Sequence, residues 1–519
     1  MRVTRRSFLA AGAGVLAGGL ARGGAPLAAS LAPPRPRLSE LWLGAVPPSG
    51  RTIVLPAGAD MLGVEWEAPA GAYVQLRLRT RAGRWSEWVS AAGCAASRHR
   101  DAAAGAPARI IGSPVWSGGA SALELRSARP LAAVRLHLVD ASSGLGARRL
   151  ALARSLLGSA GALAAVAPAV GTGQPPILAR ATWARGMARP RVAPAYGAVR
   201  IAFVHHTETP NGYLPGEVPA MLRAIFAFHR DVKGWNDIGY NFVIDAFGRI
   251  FEARAGGIDE PVVGAQAGGY NLVSTGVALL GAFASRSISP AAARSLRALL
   301  AWKLSLHGVP ARGFTRVRVN PAGAVYSRFP GGAHVRLPHI AGHRDADSTD
   351  CPGAALYREL RAIRRGVHEL APLPARATLA LAPASGPGPP APPSQPPTAL
   401  PPPPAAATSL TGRLVLLDGR PIAGAQVKLQ ARSVAGRGEV VRELTLAEAL
   451  TDASGSWSLP LASVGAARPG AWLRALYAGG GLPRTPGAAV SDPLRLPAAL
   501  SGSPRASAPS GAASSPPAR

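Results

Sequence analysis

The sequence predicts a multidomain protein in which a central α/β domain, a mixed sheet flanked by helices, lies between N- and C-terminal β-sandwich-like domains. At 519 residues the chain is too long for a single hydrophobic core. Residues 176–372 alternate apolar strands with segments of helical periodicity. Residues 36–145 and 409–497 instead contain short strands separated by Gly, Pro and Ser, the spacing of a β-sandwich.

The chain is strongly basic and poor in lysine. Lysine and arginine total 57 against 27 acidic residues, a formal net charge of +30, yet only Lys233, Lys303 and Lys428 are lysines. A GC-rich coding bias explains the arginine content as well as selection for charge does. The arginines are scattered and do not alternate with aromatic residues, so we expect no nucleic-acid partner. Contact with an anionic cell envelope fits this composition better.

Residues 1–30 have the pattern of a twin-arginine signal peptide. The run Thr4–Leu9 (TRRSFL) precedes the apolar stretch Ala10–Leu20, and small residues surround Ala28–Ser30. That stretch is too short for a permanent bilayer anchor. Arg, Gly or Pro interrupts every later apolar stretch, so we expect no transmembrane segment after signal removal. The predicted location is secreted or in the cell envelope, reached by the twin-arginine route.

The predicted N-terminal β domain spans residues 36–145. Its apolar or alternating runs are Thr52–Leu55, Tyr73–Leu78, Ala122–Leu125 and Ala133–Val139. Trp85, Trp88 and Trp116 either belong to the core or line a sugar-binding face, and the core is favoured. An Ala/Gly-rich linker follows at 146–175.

The central segment, 176–372, contains the longest helical patterns. Its predicted strands are Val199–Val204, a hairpin of Tyr240–Ile244 and Arg249–Glu252, and Val277–Leu280. The predicted helices are Val218–Val232, Pro290–His307 and Pro352–Leu370.

The C-terminal part begins with a Pro-rich linker, 373–408, which we expect to be extended and semi-rigid. A small β-sandwich-like domain, 409–497, follows, with strands at Gly412–Leu416, Ala425–Leu429 and Ser456–Leu459. Residues 498–519 are rich in Ser, Pro and Ala and are expected to be a disordered tail.

The segment His339–Gly353 (HIAGHRDADSTDCPG) carries candidate metal ligands. Neutral imidazole and thiolate are preferred ligands of Zn²⁺, and His343 lies eight residues before Cys351. The apolar periodicity after Pro352 predicts a helix with Pro352 at its first position and Cys351 at its N-cap, where the helix dipole would lower the thiol pKa. The alternative is a buried structural cysteine near an unrelated histidine. A disulfide to Cys94 is not expected, since Cys94 falls in another predicted domain.

Two adjacent histidines, His205 and His206, end the predicted strand that begins at Val199. Successive strand residues face opposite sides, so only one of the two can readily reach a given metal. Both faces of this strand are apolar, and alternation alone does not choose between them.

Four separated motifs together resemble one protein family. They are Val204–Thr207 (VHHT), Gly234–Phe242 (GWNDIGYNF), Val263–Ala265 (VGA) and Gly342–Gly353 (GHRDADSTDCPG). In order and chemistry they resemble the peptidoglycan recognition protein / N-acetylmuramoyl-L-alanine amidase (zinc amidase type 2) family. The resemblance extends from Leu178 to Leu370 and does not cover the flanking domains.

The resemblance implies a zinc site. It assigns His205, His343 and Cys351 as metal ligands and leaves a fourth position open, as catalytic zinc requires. His206 is then expected to face away from the metal. Tyr240 matches an active-site tyrosine that orients water or donates to the oxyanion. Thr349 matches a position occupied by lysine or threonine in relatives, from which it can offer only a neutral hydrogen bond.

Substrate contacts are less sharply indicated. Asn236 and Arg344 are candidates for contacting the stem peptide, and Arg344 would do so by binding a carboxylate of that peptide. Solvated surface roles for both residues are equally consistent with the sequence. The stretch Arg254–Gly257 lacks the Gly-Trp pair found in many relatives that recognise diaminopimelate, so the preferred third-position diamino acid stays open. An insertion at Gly313–Pro338 is expected to form a hairpin over the groove.

These features together predict a secreted zinc amidase that cuts the amide between N-acetylmuramic acid and L-alanine, with peptidoglycan as partner. One alternative is a non-catalytic wall-binding protein that retains the groove. The other is a structural envelope protein in which all three domains bind and zinc only holds loops. Because every candidate catalytic residue lies within 176–372, the flanking domains are expected to be dispensable for chemistry and useful for targeting.

Overall fold

The fold was established from a computed structural model, which describes residues 35–67, 74–80, 83–91, 97–98, 109–141, 174–184, 188–371, 374–383, 407–434, 440–464, 472–477, 479, 489–491 and 494–495. The predicted signal peptide, most of the 146–175 linker, the predicted tail and Cys94 lie outside these residues. Within them, no helix is both long enough and apolar enough to span a membrane.

The N-terminal domain consists of two antiparallel sheets with a shared core. Its strands are β1 (Arg37–Val46), β2 (Arg51–Val54), β3 (Met61–Glu67), β4 (Val74–Arg79), β5 (Val89–Ser90), β6 (Ser97–Arg98), β7 (Arg109–Ile111), β8 (Val115–Trp116), β9 (Ala122–Ser127) and β10 (Leu131–Asp140). One sheet has the order β1-β10-β3-β7-β6 with β8 beside β3, and the other β2-β9-β4-β5. Leu62 and Leu136 of the first sheet and Leu76 and Leu123 of the second belong to one buried cluster. The four strands predicted in this segment are confirmed.

The three tryptophans for which a core position was favoured, Trp85, Trp88 and Trp116, have different environments. Trp116 is buried, as expected for a core residue. Trp85 is 36% exposed. The Arg77 guanidinium lies 4.8 Å from the Trp88 ring centroid and that of Arg126 lies 3.8 Å from it. Cation–π stacking of this kind stabilises an exposed sheet face without placing the rings in the core.

The central domain contains a six-stranded mixed sheet. Its strands are β11 (Ile177–Leu178), β12 (Ile201–His206), β13 (Phe242–Ile244), β14 (Ile250–Glu252), β15 (Ser274–Leu279) and β18 (Ile340–Gly342), and a separate hairpin is formed by β16 (Phe314–Arg318) and β17 (His334–Pro338). The sheet order is β11-β14-β13-β15-β12-β18. The antiparallel β13–β14 hairpin is confirmed, and β12 pairs in parallel with both β15 and β18.

Helices cover both faces of this sheet. They are α1 (Ala181–Ala184), α2 (Val218–Ala227), α3 (Pro290–Leu306) and α4 (Ala354–Leu370), and a π-helical segment, Phe228–Val232, continues α2. On one face α3 and α4 pack against Ala202 and Val204 of β12. On the other, the β16–β17 hairpin packs against Ile201 and Phe203. The opposite facing of successive strand residues therefore gives β12 two different environments.

One helix boundary predicted from the sequence is wrong. Helix α4 begins at Ala354, so Pro352 is not its first residue and Cys351 is not its N-cap. Gly353 is the N-cap, with a φ of +89°, a left-handed backbone that glycine adopts readily. Its N–H donates to the Asp350 carbonyl (2.8 Å), which closes a turn ahead of the helix. Cys351 therefore lies outside the helix, and the prediction that it occupies the N-cap position is wrong.

The C-terminal domain begins earlier than predicted. Its strands are β19 (Ala375–Ala377), β20 (Ala380–Pro383), β21 (Ala407–Leu416), β22 (Gln426–Val434), β23 (Val440–Leu450), β24 (Ser456–Pro460), β25 (Trp472–Tyr477), β26 (Ala489–Val490) and β27 (Leu494–Arg495). Strands β19 and β20 both pair with β21, although they fall in the predicted 373–408 linker. The prediction of an extended linker is thus wrong for 375–383, because Ala375 and Ala377 bury their side chains in the core of this domain.

The three domains share parts of their hydrophobic cores. Phe228 of the central domain is fully buried and belongs to a cluster that includes Met61 and Trp116 of the N-terminal domain. A Cβ at Gly63 in β3 would lie 2.1 Å from the Phe228 ring, so the close contact requires glycine there. On the opposite side, Leu476 and Val490 of the C-terminal domain join the cluster formed by α3 and α4.

Candidate metal centre

The two histidines at the end of β12 have separate environments. His205 shares its face of the strand with Ile201 and Phe203, and His206 shares the opposite face with Ala202 and Val204. His206 Nε2 lies 2.6 Å from the Glu208 carboxylate, and its Nδ1 accepts a hydrogen bond from the Phe283 N–H (3.3 Å). His206 therefore faces away from the other candidate ligands, as expected.

His205, His343 and Cys351 converge at the end of the sheet. Strand β18 runs parallel to β12 and delivers His343 at its carboxyl end, while the turn before α4 brings Cys351 to the same place. All three side chains are buried, and their ligand atoms lie within 4.8 Å of one another. The Cys351 sulfur is 3.6 Å from His205 Nδ1, and the two imidazole rings are 4.5 Å apart. No disulfide joins Cys351 to another described residue.

This geometry fits a tetrahedral zinc ion. With Zn–N of about 2.05 Å and Zn–S of about 2.3 Å at a tetrahedral angle, the nitrogen and sulfur of two ligands are about 3.6 Å apart. The Cys351–His205 separation has that value. Two imidazoles and one thiolate form a donor set that suits Zn²⁺, and three protein ligands leave a coordination position open.

The sequence did not point to the two side chains that orient the histidines. His205 Nε2 is 2.6 Å from the Gln266 side-chain oxygen, and His343 Nε2 is 2.8 Å from Asp347 Oδ2. Each contact engages Nε2 and fixes the orientation of the ring, so Nδ1 is the ring atom that could ligate a metal. The four-residue spacing between His343 and Asp347 was a usable signal for the second pair. For Gln266, 61 residues from His205, there was none.

Each of these two orienting side chains has a second hydrogen-bond partner. Asp347 Oδ2 also accepts the Gly268 N–H (2.7 Å), and the Gln266 side-chain amide donates to Ser274 Oγ (3.0 Å). The hydroxyl of Tyr270 lies 2.9 Å from Ser327 Oγ, which belongs to the segment between β16 and β17. Burial raises the pKa of Tyr270, so its hydroxyl stays a neutral hydrogen-bonding group.

The predicted hairpin insertion supports the same loop. Strands β16 and β17 are antiparallel, which confirms the hairpin. Between them, the Tyr326 carbonyl accepts the Ser348 N–H (3.0 Å), and the Arg328 N–H donates to the Ala346 carbonyl (2.9 Å). The insertion thus holds the segment that carries Asp347, rather than standing apart from the site.

Tyr240 lies beside the candidate ligands. Its ring centroid is 5.4 Å from that of His205, and its side chain is 5% exposed. The preceding Gly239 N–H donates to His229 Nδ1 (3.1 Å), and the His229 ring packs on Trp235 with centroids 4.6 Å apart. These contacts fix the backbone that presents Tyr240 to the site.

Thr349 shapes the turn that carries the cysteine. Its hydroxyl oxygen accepts the Cys351 N–H (3.2 Å), and its own N–H donates to the Asp347 carbonyl (3.0 Å). Accepting this bond leaves the hydroxyl hydrogen able to donate.

The two candidate substrate-binding residues make contacts within the protein. Both polar atoms of the Asn236 amide bond the backbone of Val192, accepting its N–H (2.6 Å) and donating to its carbonyl (3.1 Å). The guanidinium of Arg344 donates to the Asp350 carbonyl and lies 5.0 Å from the Tyr357 ring centroid. These contacts give both residues structural roles, and their contact with substrate stays a prediction.

Comparison with known proteins identifies the family. Residues 195–354 match the family model described as N-acetylmuramoyl-L-alanine amidase. A peptidoglycan-recognition protein of Drosophila simulans is 30% identical over 185 residues, which cover 36% of this chain and 85% of that protein. The chain belongs to the peptidoglycan recognition protein / N-acetylmuramoyl-L-alanine amidase family. All three candidate ligands of this family member lie in the matched segment.

Other similarities concern parts of the chain. The human N-acetylmuramoyl-L-alanine amidase is 30% identical over 208 residues, covering 39% of this chain and 31% of that protein. The solved structure of peptidoglycan recognition protein-LE in complex with tracheal cytotoxin is 26% identical, covering 36% of this chain and 92% of that one, with a TM-score of 0.28. Residues 58–149 match the model described as Rv3811 N-terminal galactose-binding domain-like. This family member thus combines its amidase-family domain with an N-terminal galactose-binding-like domain.

Proposed function

We propose that this protein is a zinc-dependent N-acetylmuramoyl-L-alanine amidase that hydrolyses the amide between N-acetylmuramic acid and the L-alanine of the stem peptide. The observation that carries the proposal is the buried convergence of His205, His343 and Cys351 within 4.8 Å. Family membership and the named human amidase support the reaction class. Peptidoglycan is the proposed substrate and Zn²⁺ the proposed cofactor.

Zinc held by His205, His343 and Cys351 would polarise the scissile carbonyl and lower the pKa of a bound water to about 7. The remaining parts of the reaction belong to the protein. Gln266 and Asp347 keep the two imidazole rings in place. Burial of the ligands excludes bulk water and strengthens each electrostatic interaction within the site.

Tyr240 and Thr349 are the proposed assisting residues. The Tyr240 hydroxyl orients the attacking water or donates to the oxygen that becomes negative in the transition state, a role supported by the packing of its ring against His205. The Thr349 hydroxyl offers a second, neutral donor next to Cys351. Because threonine offers only a neutral hydrogen bond, part of the electrostatic stabilisation of the oxyanion would have to come from the zinc ion itself.

The proposed site of action is the cell envelope. The twin-arginine pattern of residues 1–30 supports export of the folded protein. An envelope location also places the protein next to its proposed polymeric substrate.

Digestion of purified peptidoglycan tests this function. The protein is incubated with sacculi, with and without a zinc chelator, and the products are analysed by mass spectrometry. We expect stem peptides with a free L-alanine amino group, no cleavage with the chelator, and recovery when zinc is restored. Cleavage that persists after the zinc has been removed would contradict the metal dependence.

The same experiment separates a recognition protein from an enzyme. Several relatives are named peptidoglycan-recognition proteins, which makes binding without cleavage the main competing function. Sacculi that bind the zinc-loaded protein and release no peptide would favour that function. Binding without cleavage that persists after the chelator has removed the zinc would favour an envelope protein in which all three domains bind and zinc only holds loops.

A further inference from the structure

The β16–β17 hairpin has two chemically different faces. Its inward residues, Val317, Val335 and Leu337, are buried against the central sheet. Its outward residues are exposed and basic: Arg316, Arg318, His334 and Arg336. A two-stranded hairpin that packs on one side in this way presents the other side entirely to solvent.

The register places these basic side chains directly opposite each other. Arg316 pairs with Arg336 and Arg318 with His334. Like charges facing each other across two strands destabilise a sheet, which applies to the Arg316–Arg336 pair and, when the histidine is protonated, to Arg318–His334. The N-terminal domain shows the usual alternative, since its Arg77 lies opposite Glu124 and forms an ion pair with it at 2.6 Å. None of the basic residues on the outer hairpin face forms an ion pair with a described residue.

The surrounding sequence offers no acidic side chain nearby along the chain. No aspartate or glutamate occurs between Glu260 and Asp345, a stretch that contains the whole hairpin. Since no described carboxylate pairs with this face either, it is left available to an anionic ligand.

One of the arginines is held in a defined orientation. The Arg336 guanidinium lies 4.0 Å from the ring centroid of Phe314, whose side chain is 54% exposed. Stacking on an aromatic ring restrains the guanidinium plane and leaves its edge directed to solvent. A guanidinium edge is the group that binds a carboxylate through two parallel hydrogen bonds.

The hairpin is physically joined to the candidate metal centre. The segment between its strands bonds the loop that carries Asp347, through Tyr326 to Ser348 and through Arg328 to Ala346. A polymer bound along the outer face would consequently be held close to the site where cleavage is proposed.

We propose that the outer face of this hairpin, formed by Arg316, Arg318, His334 and Arg336, docks the carboxylates of neighbouring stem peptides of peptidoglycan. This inference rests on the proposed function, which supplies a polymer that carries many such carboxylates. The face adds affinity for the polymer and takes no part in bond cleavage.

Cosedimentation with sacculi tests the docking face. The triple variant Arg316→Gln/Arg318→Gln/Arg336→Gln is compared with Arg358→Gln/Arg361→Gln/Arg365→Gln, which removes the same charge from the exposed face of α4. We expect the hairpin variant to bind about eightfold more weakly, the product of roughly twofold for each of the three exposed ionic contacts. The α4 variant should bind nearly as well as the unmodified protein. A further variant, Arg316→Lys/Arg318→Lys/Arg336→Lys, keeps the charge but loses the planar guanidinium groups. Its affinity for sacculi should lie between those of the hairpin glutamine variant and the unmodified protein.

The second part of the cosedimentation experiment changes the chemistry of the sacculi instead of the protein. Sacculi whose carboxyl groups have been converted to neutral amides should bind the unmodified protein and the hairpin variant equally weakly. Sacculi stripped of phosphodiester polymers should keep the difference between the two proteins. If stripping abolishes that difference, or if both glutamine variants lose affinity equally, the proposal is overturned. Binding is measured without turnover, so a protein that binds through this face but cleaves nothing contradicts only the proposed function.

Discussion

The sulfur of Cys351 and Nδ1 of His205 lie 3.6 Å apart, and both atoms are buried. At this distance the charge of the thiolate matters, since it is the thiolate and not the thiol that binds zinc. The orientation of the imidazoles depends in turn on Gln266 and Asp347. Predictions at the scale of single residues therefore separate the proposed metal ligands from the residues that orient them and from those proposed to assist catalysis.

Replacing the ligand thiol should remove the metal. We expect Cys351→Ser to lower zinc affinity by more than the 10- to 100-fold typical of losing an orienting side chain, because a neutral hydroxyl replaces a thiolate. Zinc content after dialysis against a weak chelator measures the loss. Cys94→Ser, the same change at the other cysteine, is the matched control and should keep its zinc. Full zinc occupancy in Cys351→Ser would remove Cys351 from the ligand set.

Replacing the partner of His343 should weaken the site without abolishing it. In Asp347→Asn the side-chain oxygen can still accept the Gly268 N–H, but the carboxylate charge that supports His343 is lost. We expect zinc affinity to fall about 10- to 100-fold. Competition with a chromophoric chelator gives the dissociation constant. Asp350→Asn changes an exposed carboxylate of the same loop and should leave affinity unchanged, and equal effects of the two variants would argue against an orienting role.

Removing the Tyr240 hydroxyl should affect turnover more than binding. If the hydroxyl acts on water or on the developing oxyanion, Tyr240→Phe retains folding and zinc but lowers kcat by about 10²–10³, or roughly 3–4 kcal/mol of transition-state stabilisation. KM should change little, because the bond strengthens as charge develops. Tyr477→Phe, at a partly buried tyrosine of the C-terminal domain, is the control. A kcat within about threefold of the unmodified enzyme would mean that Tyr240 is only a packing residue.

The turn before α4 shows how one element positions the site. Gly353 has a φ of +89°, and a Cβ there would lie 2.3 Å from the carbonyl carbon and oxygen of Phe283. The same residue ends the turn that places Cys351 just before the N-terminus of α4. Only a residue without a side chain satisfies both the backbone angle and the close contact.

Gly353→Ala should destabilise the protein through both effects. Strain at a left-handed backbone and overlap with Phe283 each cost about 1–3 kcal/mol, so we expect the free energy of unfolding to fall by about 2–6 kcal/mol. Gly419→Ala tests the strain alone, because Gly419 has a φ of +88° and no atom within 4 Å of the added Cβ. Urea unfolding of both variants measures the difference. Equal losses would show that overlap with Phe283 contributes nothing.

At the scale of the whole molecule, a buried ion-pair cluster joins the central and C-terminal domains. Arg474 of β25 is 1% exposed, and its guanidinium bonds Asp259 and Glu260 of the central domain, the latter at 3.0 Å. Leu476 of the same strand is part of the central hydrophobic cluster. All candidate catalytic residues still lie within 176–372. A fragment of that span, however, would expose apolar surface on both sides and leave Asp259 without its buried partner.

Arg474→Ala should therefore be strongly destabilising. Removing one partner of a buried ion pair leaves uncompensated charge, and we expect a loss of about 3–5 kcal/mol in the free energy of unfolding. Arg420→Ala breaks the exposed pair with Asp418, for which a loss of at most about 1 kcal/mol is expected. Chemical denaturation compares the two. A loss at Arg474 as small as that at Arg420 would mean that the C-terminal domain is only loosely attached.

The strands, and the residue types that form the candidate metal site, could be predicted from the sequence because they depend on local pattern. Alternation along β4 and β9 and the apolar run before His205 are consequences of neighbouring residues alone. The types of His205, His343 and Cys351, taken with the surrounding motifs, were sufficient to indicate a zinc site. Periodicity also located α3, where Ser289 caps the first turn by accepting the Ala292 N–H.

Tertiary structure alone decided the contacts between residues distant in the chain. Gln266 reaches His205 because β15 places its preceding loop beside β12, and the insertion reaches Asp347 because its apolar face packs on Ile201 and Phe203. Tertiary structure also decided where α4 begins, because the turn that ends at Gly353 starts the helix at Ala354 and not at Pro352. Pairing of Ala375 with β21 likewise converted a predicted linker into a strand. The physical reason is common to all four: burial and hydrogen bonding across the fold outweigh local propensity, and neither is encoded in neighbouring residues.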